Sequence, residues 1–256
     1  MATYNKKGKK PLSKEDQKTR VEKESTTAEV FNTLDEGAGR TEAWVAKNQK
    51  YIYIIVGLAA VVVLGYLGFQ KFIQEPKEAE AANEMFQAQQ YFDTALVSTG
   101  AQSDSLYNMS LMGGAGKFGF LDIIDNYGST NAANLAYYYT GFAYLNTNRY
   151  QEAIDHLEDF KGKDEILAAL AVGGIGDAFM QLDQPDEALK FYDKAASMRS
   201  NEFTAPKFLL KAAITAIQTG KGEQATKYLN RIKDEYSTTP EASQVPVYLG
   251  RAQAMK

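Results

Sequence analysis

The stretch GGIGDAFMQLDQPDEALKFYDKA, residues 173–195, decides the fold of this chain. Counted from Gly176, an aromatic residue follows after 3 positions, a small residue after 12, an aromatic residue after 16 and a small residue after 19: Phe179, Ala188, Tyr192 and Ala195. Small residues at this spacing allow two helices to approach closely, and the large apolar residues beside them fill the contact. The stretch therefore predicts a hairpin of two packed helices.

The same spacing recurs on both sides of this stretch. Gly141 begins an upstream copy and Ala213 begins a downstream copy, so the steps are 35 and 37 residues long. A period of that length is typical of stacked helical repeats. From about residue 78 onward the apolar residues keep helical spacing, and no convincing strand pattern occurs. The sequence predicts an all-α fold.

These residues resemble the tetratricopeptide repeat, whose consensus has glycine at position 8, an aromatic at 11, alanine at 20, an aromatic at 24 and alanine at 27. The copy around Gly176 matches all five positions. The upstream copy keeps three and has Leu157 and Phe160 at the other two, and the downstream copy keeps only Ala225 strictly. The resemblance implies a solenoid whose concave surface is lined by the first helix of each pair. An unrelated helical bundle is the alternative.

A longer comparison extends the repeats in both directions. Residues 123–143 realign with residues 232–252 at a constant offset of 109, which predicts a C-terminal capping helix over about 243–255. Applied backward, the offset predicts a degenerate first repeat, with a first helix over 80–96 and a polar insertion over 98–113. In that repeat Gly116 takes the small position of the second helix. The prediction is a repeat domain over 78–256 with about four repeats and the capping helix.

A single membrane-spanning helix is predicted before the repeats. Residues 51–70 carry no charge over 20 positions, enough for a bilayer core of roughly 30 Å. A buried core helix or a cleaved signal peptide fits this position and length less well. Gly57 and Gly65 lie about two turns apart and are candidates for a helix contact within the membrane. The predicted juxtamembrane and spanning segment is 41–77.

The segment before the anchor predicts the orientation. Residues 1–50 hold 11 Lys and Arg against 8 Asp and Glu, and the polar composition of residues 1–40 predicts a disordered basic tail. Basic flanks stay in the cytoplasm, so the repeat domain is expected on the other side of the membrane.

Glycine-rich and titratable motifs give no sign of an enzyme. In LMGGAGKFGFLD, residues 111–122, Gly116 and Lys117 are followed by Phe118, so the hydroxyl of a phosphate-binding loop is missing. The chain has no cysteine, and its one histidine, His156, has no evident metal or catalytic partner. After the anchor, 24 acidic residues outnumber 17 basic ones, which argues against nucleic acid. We expect no catalytic, metal, cofactor or small-molecule site.

Protein binding is the function that these observations leave. The family's groove positions on each first helix predict a mostly apolar and aromatic protein-binding surface, without the lysine and asparagine set that clamps a terminal carboxylate: Leu135, Tyr138, Phe142, Leu145, Asp177, Met180, Lys207, Leu210, Ile214 and Ile217. Such a lining suits an unfolded or hydrophobic segment, or a partner's helix. The open alternative is that these residues pack against neighbouring first helices.

The whole layout resembles the ancillary SecYEG translocon subunit family of the bacterial inner membrane, in its Bacteroidota form. The resemblance covers about residues 40–256 and includes GFLDIIDNYGST, residues 119–130, and GIGDAFMQLD, residues 174–183. It implies a non-enzymatic periplasmic adaptor whose partners are the translocon, a periplasmic chaperone or prolyl isomerase, and nascent exported chains. The alternative is a structural or assembly subunit of another cell-envelope membrane complex.

Overall fold

The structure is a computed structural model that describes residues 14–198 and 201–255, without the side chains of residue 14, residues 16–17 and residues 19–40. It divides into two compact units, one ending at Phe69 and one beginning at Gln70. Residues 1–13 of the predicted basic tail lie outside the described residues.

The first unit contains one long helix, α1 (Lys14–Phe69). Helix therefore covers residues 14–40, where composition predicts disorder. This segment contains five Glu and three Lys, which are good helix formers. The helical stretch Thr41–Val97 is long and apolar enough to cross a membrane. Its most apolar 18-residue window has a mean hydropathy of 2.5, and none of the residues in that window is buried. A Cβ atom added at Gly57 or Gly65 would have no neighbour within 4 Å.

Helices joined by turns and short loops make up the described residues of the second unit. A π-helical turn, Gln70–Gln74, precedes the helices, and a 3-10 turn, Pro240–Gln244, precedes the last of them. The helices are α2 (Glu75–Val97), α3 (Ala101–Met112), α4 (Phe120–Tyr127), α5 (Asn131–Asn146), α6 (Tyr150–Asp159), α7 (Glu165–Gln181), α8 (Pro185–Ser197), α9 (Thr204–Gln218), α10 (Gly222–Glu235) and α11 (Val245–Gln253).

Three hairpins, α5–α6, α7–α8 and α9–α10, form the repeats that the small-residue spacing predicts. A Cβ atom added at Gly141 would lie 2.4 Å from Cγ of Leu157, and one at Gly176 would lie 2.7 Å from Cε1 of Tyr192. These distances are too short for any side chain, so glycine lets α5 touch α6 and α7 touch α8. The predicted all-α solenoid of helical pairs is confirmed.

The turn inside each hairpin has the same backbone conformation. Asn148, Asp183 and Gly220 stand at the steps of the repeat and have φ values of 61°, 56° and 75°. Asparagine, aspartate and glycine tolerate this left-handed region better than other residues. In each turn the following backbone N–H donates to the carbonyl five residues earlier, at 2.7 to 2.9 Å. This Schellman-type bond ends the first helix and starts the next.

The degenerate first repeat differs from its prediction at Gly116. This glycine is exposed, has φ +73°, and lies in the turn before α4 with no atom within 4 Å of an added Cβ. The close contact belongs to Gly119, where a Cβ would lie 2.3 Å from the backbone oxygen of Leu111. Lys117 lies in the same turn and not on a helix surface. The offset of 109 residues gives a wrong prediction here because the chain forms a turn where the offset predicts the start of the second helix. A backbone bridge between Gly114 and Lys117 closes that turn.

The expected apolar face of α4 and the insertion before it both contribute to the core. The offset of 109 aligns Phe120 with Leu229 and Ile123 with Ile232, and all four are fully buried. The insertion of residues 98–113 forms α3, which buries Tyr107 and Leu111. The ring of Tyr107 meets the ring of Phe92 on α2 edge-on, with centroids 5.4 Å apart. The insertion is thus an ordered helix with one apolar face.

Polar contacts fasten the start of α2 to the start of α5. The Glu78 carboxylate accepts hydrogen bonds from the backbone N–H of Asn131 at 2.7 Å and of Ala132 at 2.9 Å. The Gln74 amide donates to the Ser129 carbonyl at 2.8 Å. The first N–H groups of a helix have no partner within it, so Glu78 supplies acceptors for α5 from a distant part of the chain.

Candidate protein-binding cavity

A cavity of about 560 Å³ opens between the three clear repeats. The first helices α5, α7 and α9 supply most of its wall, and the start of α6 and one side chain of α8 complete it. We call it the inter-repeat cavity, and its lining residues are Leu145, Asn146, Asn148, Tyr150, Asp177, Met180, Gln181, Tyr192, Lys211, Ile214, Thr215 and Gln218.

Four of the predicted groove residues meet in this cavity. Leu145 comes from α5, Asp177 and Met180 come from α7, and Ile214 comes from α9. The three apolar side chains are each partly buried and pack on the core below. Three repeats thus bring three apolar side chains and one carboxylate to the lining of one cavity.

The aromatic residues predicted for the groove lie elsewhere. Tyr138 and Phe142 pack against each other with ring centroids 4.7 Å apart, and Tyr138 also meets Phe160 at 5.4 Å. Burial, with a smaller effect of neighbouring Tyr139, raises the pKa of Tyr138 to about 12. Leu135 is partly buried against the N-terminal part of the core. These residues join consecutive repeats and lie outside the lining of the inter-repeat cavity.

The remaining predicted residues all lie on α9. Leu210 is 7% exposed and belongs to the core cluster that α11 joins through Val245, so the alternative of core packing applies to it. Ile217 is partly buried against the same cluster. The Lys207 ammonium lies 5.8 Å from the ring centroid of Phe208. None of the three lines the inter-repeat cavity.

A charged pair held by a tyrosine forms part of the cavity wall. The Lys211 ammonium donates to Oδ1 and Oδ2 of Asp177, at 2.5 and 2.7 Å. The Tyr192 hydroxyl donates to Oδ1 of the same carboxylate at 2.7 Å. Burial, reinforced by the adjacent Asp177 charge, raises the pKa of Tyr192. Tyr192 therefore stays protonated and fixes the carboxylate that pairs with the lysine.

Sequence reasoning missed Lys211 and Tyr192 as parts of the site. The groove positions carried over from the family do not include the place of Lys211 in its repeat, and Tyr192 was assigned to the helix contact alone. The usable signal was an acid and a lysine about one repeat apart, since Asp177 and Lys211 differ by 34 positions. Asp186 and Lys221 differ by 35 positions and also form an ion pair, at 2.5 Å.

Exposed amide side chains complete the cavity at the ends of the first helices. They are Asn146 and Asn148 near α5, Gln181 on α7 and Gln218 on α9. An amide both donates and accepts hydrogen bonds, which is what a polypeptide backbone also does. An apolar wall with an amide rim can hold a polypeptide segment. Within residues 14–198 and 201–255, no group of three histidine, aspartate or glutamate side chains could hold a metal ion.

Comparison with known proteins gives a family match over part of this chain and a likeness to a solved structure. The family model of the tetratricopeptide repeat matches residues 135–164, which include most of α5 and all of α6. A crystal structure of nearly identical tetratricopeptide-like repeats, from a Podosopora anserina protein assigned as a kinesin light chain, is 14% identical and has a TM-score of 0.48. That likeness covers 68% of this chain and 84% of the other. No curated protein sequence matches.

The hairpins and the family match define the class of protein. The described residues from Gln70 onward form a helical solenoid of the tetratricopeptide-repeat type, and the family match covers residues 135–164 of it. Repeats of this type indicate a protein–protein interaction adaptor, and proteins built from them are generally scaffolds without enzymatic activity.

Proposed function

We propose that this chain is a membrane-anchored adaptor that holds a segment of a partner protein in the inter-repeat cavity. One observation carries the proposal: three successive repeats place apolar side chains, Leu145, Met180 and Ile214, on one wall with amides at its rim. The repeat type supports protein binding in general, and the lining of the inter-repeat cavity supports that cavity as the place where the partner binds.

The anchor is the second part of the proposal. The uncharged helical segment 51–69 is long enough to span a bilayer. The basic flank before it favours a cytoplasmic N-terminus. The repeat unit then lies in the periplasm, attached to the outer face of the inner membrane, and Gly57 and Gly65 offer a close approach for another membrane helix.

The resemblance to the ancillary SecYEG translocon subunits supplies the proposed partners. They are the translocon, a periplasmic chaperone or prolyl isomerase, and chains that emerge from the translocon. An apolar wall suits emerging chains, because they have not yet buried their apolar side chains. A structural subunit of another envelope complex is the alternative, and it uses the same anchor and repeats.

Site-specific photo-cross-linking in living cells tests the proposal. A photoreactive residue at Met180 is expected to capture translocon components or exported chains. The same residue at Lys190, whose side chain is 68% exposed on α8 outside the cavity, is the control and is expected to capture neither. Capture of a different membrane complex at Met180 would favour the alternative, and equal capture at both positions would contradict a role for the cavity.

Protease treatment of spheroplasts tests the orientation. Residues 78–256 are expected to be digested when the outer membrane is open, because they lie in the periplasm. Protection of these residues while the inner membrane is intact would contradict a cytoplasmic N-terminus.

A further inference from the structure

The charged side chains of the inter-repeat cavity are paired with each other. Among the described residues that line it, Asp177 and Lys211 carry the charges. Both oxygens of the carboxylate accept from the ammonium group, and the two side chains keep 31% and 34% of their surface exposed. A bound segment can therefore reach the pair, and it meets a positive and a negative group at nearly the same place.

The pairing changes what the lysine can recognise. A lysine alone in an apolar cavity attracts carboxylates, because the lower dielectric strengthens charge interactions. With the Asp177 carboxylate at 2.5 Å, an approaching carboxylate meets repulsion nearly equal to the attraction of Lys211. Tyr192 holds the carboxylate in this position through its hydroxyl. The cavity therefore offers little net charge to a ligand.

We propose that Asp177 determines the specificity of the inter-repeat cavity: by pairing with Lys211 it makes the cavity select an uncharged, extended polypeptide segment and reject an acidic one. This inference rests on the proposed function, because it concerns what the same cavity binds. Asp177 acts as the selecting residue, and Tyr192 is a positioning residue that orients it.

The amide rim argues for an extended segment. A helix has already paired its backbone N–H and C=O groups within itself, whereas an extended segment leaves them available. Asn146, Gln181 and Gln218 lie beside the apolar wall and can donate to and accept from such a backbone. An extended, uncharged segment matches both the amides and the neutral charge balance.

Three synthetic peptides with one apolar frame test the proposal. The neutral peptide is acetyl-GLSLGMSLG-amide, the acidic peptide has aspartate in place of both serines, and the basic peptide has lysine there. Each carries a fluorophore and is titrated into the full chain in nanodiscs, with empty nanodiscs as background. The unaltered chain is expected to bind the neutral peptide at least tenfold more tightly than the acidic one.

The variant Asp177→Asn releases Lys211 and keeps an acceptor for the Tyr192 hydroxyl. Its affinity for the acidic peptide is expected to rise at least tenfold, with a gain that falls as salt is added. The matched control is Asp186→Asn, which removes the same charge from the same kind of pair outside the cavity and is expected to leave the preference unchanged. Lys211→Met, which leaves Asp177 unpaired, is expected to favour the basic peptide at least tenfold.

The outcomes separate this inference from the proposed function. Neutral peptide bound with no preference, or equal gains from Asp177→Asn and Asp186→Asn, would overturn the role of Asp177 while the cavity remained a binding site. No binding of any peptide, together with no capture at Met180 in cells, would overturn the proposed function itself. A backbone N-methylated neutral peptide that binds as well as its parent would overturn the extended mode.

Discussion

The contact between Gly173 on α7 and Phe208 on α9 gives a sharp test of how consecutive repeats stack. A Cβ atom added at Gly173 would lie 1.9 Å from Cε1 and 2.0 Å from Cζ of Phe208, where ordinary contacts begin at 3.4 Å. Phe208 is 2% exposed, and its ring stacks on Tyr192 with an interplanar angle of 16°. The ring cannot turn away without displacing its neighbours, so Gly173→Ala forces the two helices apart.

Two opposing effects set the expected magnitude. Over-packing a buried site costs about 1 to 3 kcal/mol, and an overlap this severe places Gly173→Ala near 3 kcal/mol. Replacing glycine by alanine inside a helix returns about 1 kcal/mol. The free energy of unfolding should fall by about 2 kcal/mol. For a domain of this size each kcal/mol changes Tm by about 2 to 4 °C, so Tm should fall by about 4 to 8 °C.

Gly250 on α11 provides the matched control. It also lies inside a helix, but an added Cβ would meet no atom within 4 Å. Gly250→Ala should therefore keep the gain of about 1 kcal/mol and raise Tm. Thermal unfolding of the full chain, followed by circular dichroism at 222 nm, compares the two variants. If Gly173→Ala raised Tm as much as Gly250→Ala, the close stacking of α7 on α9 would be refuted.

Three further predictions concern single side chains. The buried hydroxyl of Thr140 has no hydrogen-bond partner among the described residues, so Thr140→Val should raise the free energy of unfolding by about 1 kcal/mol. A lower free energy of unfolding in urea would show that the hydroxyl is satisfied. Glu78→Ala should cost about 1 kcal/mol because α5 loses the acceptors for its first N–H groups, whereas Glu75→Ala, in an exposed pair with Lys71, should change stability by less than about 0.5 kcal/mol. The pKa of Tyr138 is raised to about 12 in the folded state, so its contribution to the free energy of unfolding is complete below pH 10 and declines as the pH rises toward 12. In Tyr138→Phe the free energy of unfolding should therefore fall less over this pH range. The same pH dependence in both proteins would contradict the raised pKa.

The sequence predicts the hairpins well because their signal is local. Where two helices touch, glycine or alanine is needed, and Gly141, Gly176 and Ala188 stand at those contacts in the structure. The large residues opposite, such as Tyr192, occur at fixed spacing for the same reason. Because every repeat has the same contact between its two helices, the pattern can be recognised even when a single copy matches it poorly.

The glycine that makes the close contact before α4 could not be predicted, because the repeat spacing does not determine it. An insertion of one helix, α3, precedes this turn and interrupts the spacing. The turn needs glycine at Gly113, with φ +83°, and close backbone approach at Gly119. Several glycines stand in this stretch, and the repeat spacing alone points to Gly116 as the close contact. A Cβ atom added at Gly116 would meet no described atom within 4 Å.

The cavity was predictable only in part. Groove positions describe the average direction of a side chain on the first helix, and four of the twelve lining residues occupy such positions: Leu145, Asp177, Met180 and Ile214. They missed Lys211, whose long side chain crosses to the neighbouring repeat to reach Asp177. Which side chains meet across two repeats depends on the angle at which the repeats stack, and the sequence of one repeat does not determine that angle.

The stacking contacts and the cavity residues share one face of α7, because residues three, four and seven positions apart on a helix are neighbours. On α7, Gly173 and Gly176 are buried against Phe208 and Tyr192, while Asp177 and Met180 border the cavity. The Gly173 contact joins two repeats and the Gly176 contact joins the two helices of one repeat. Charge pairs at partly exposed positions contribute little to stability, so a change at Asp177 should cost the stack little. Tyr192 takes part in both, because its ring packs on Gly176 and its hydroxyl donates to the Asp177 carboxylate. The contact between α7 and α8 therefore also positions the carboxylate that faces a partner.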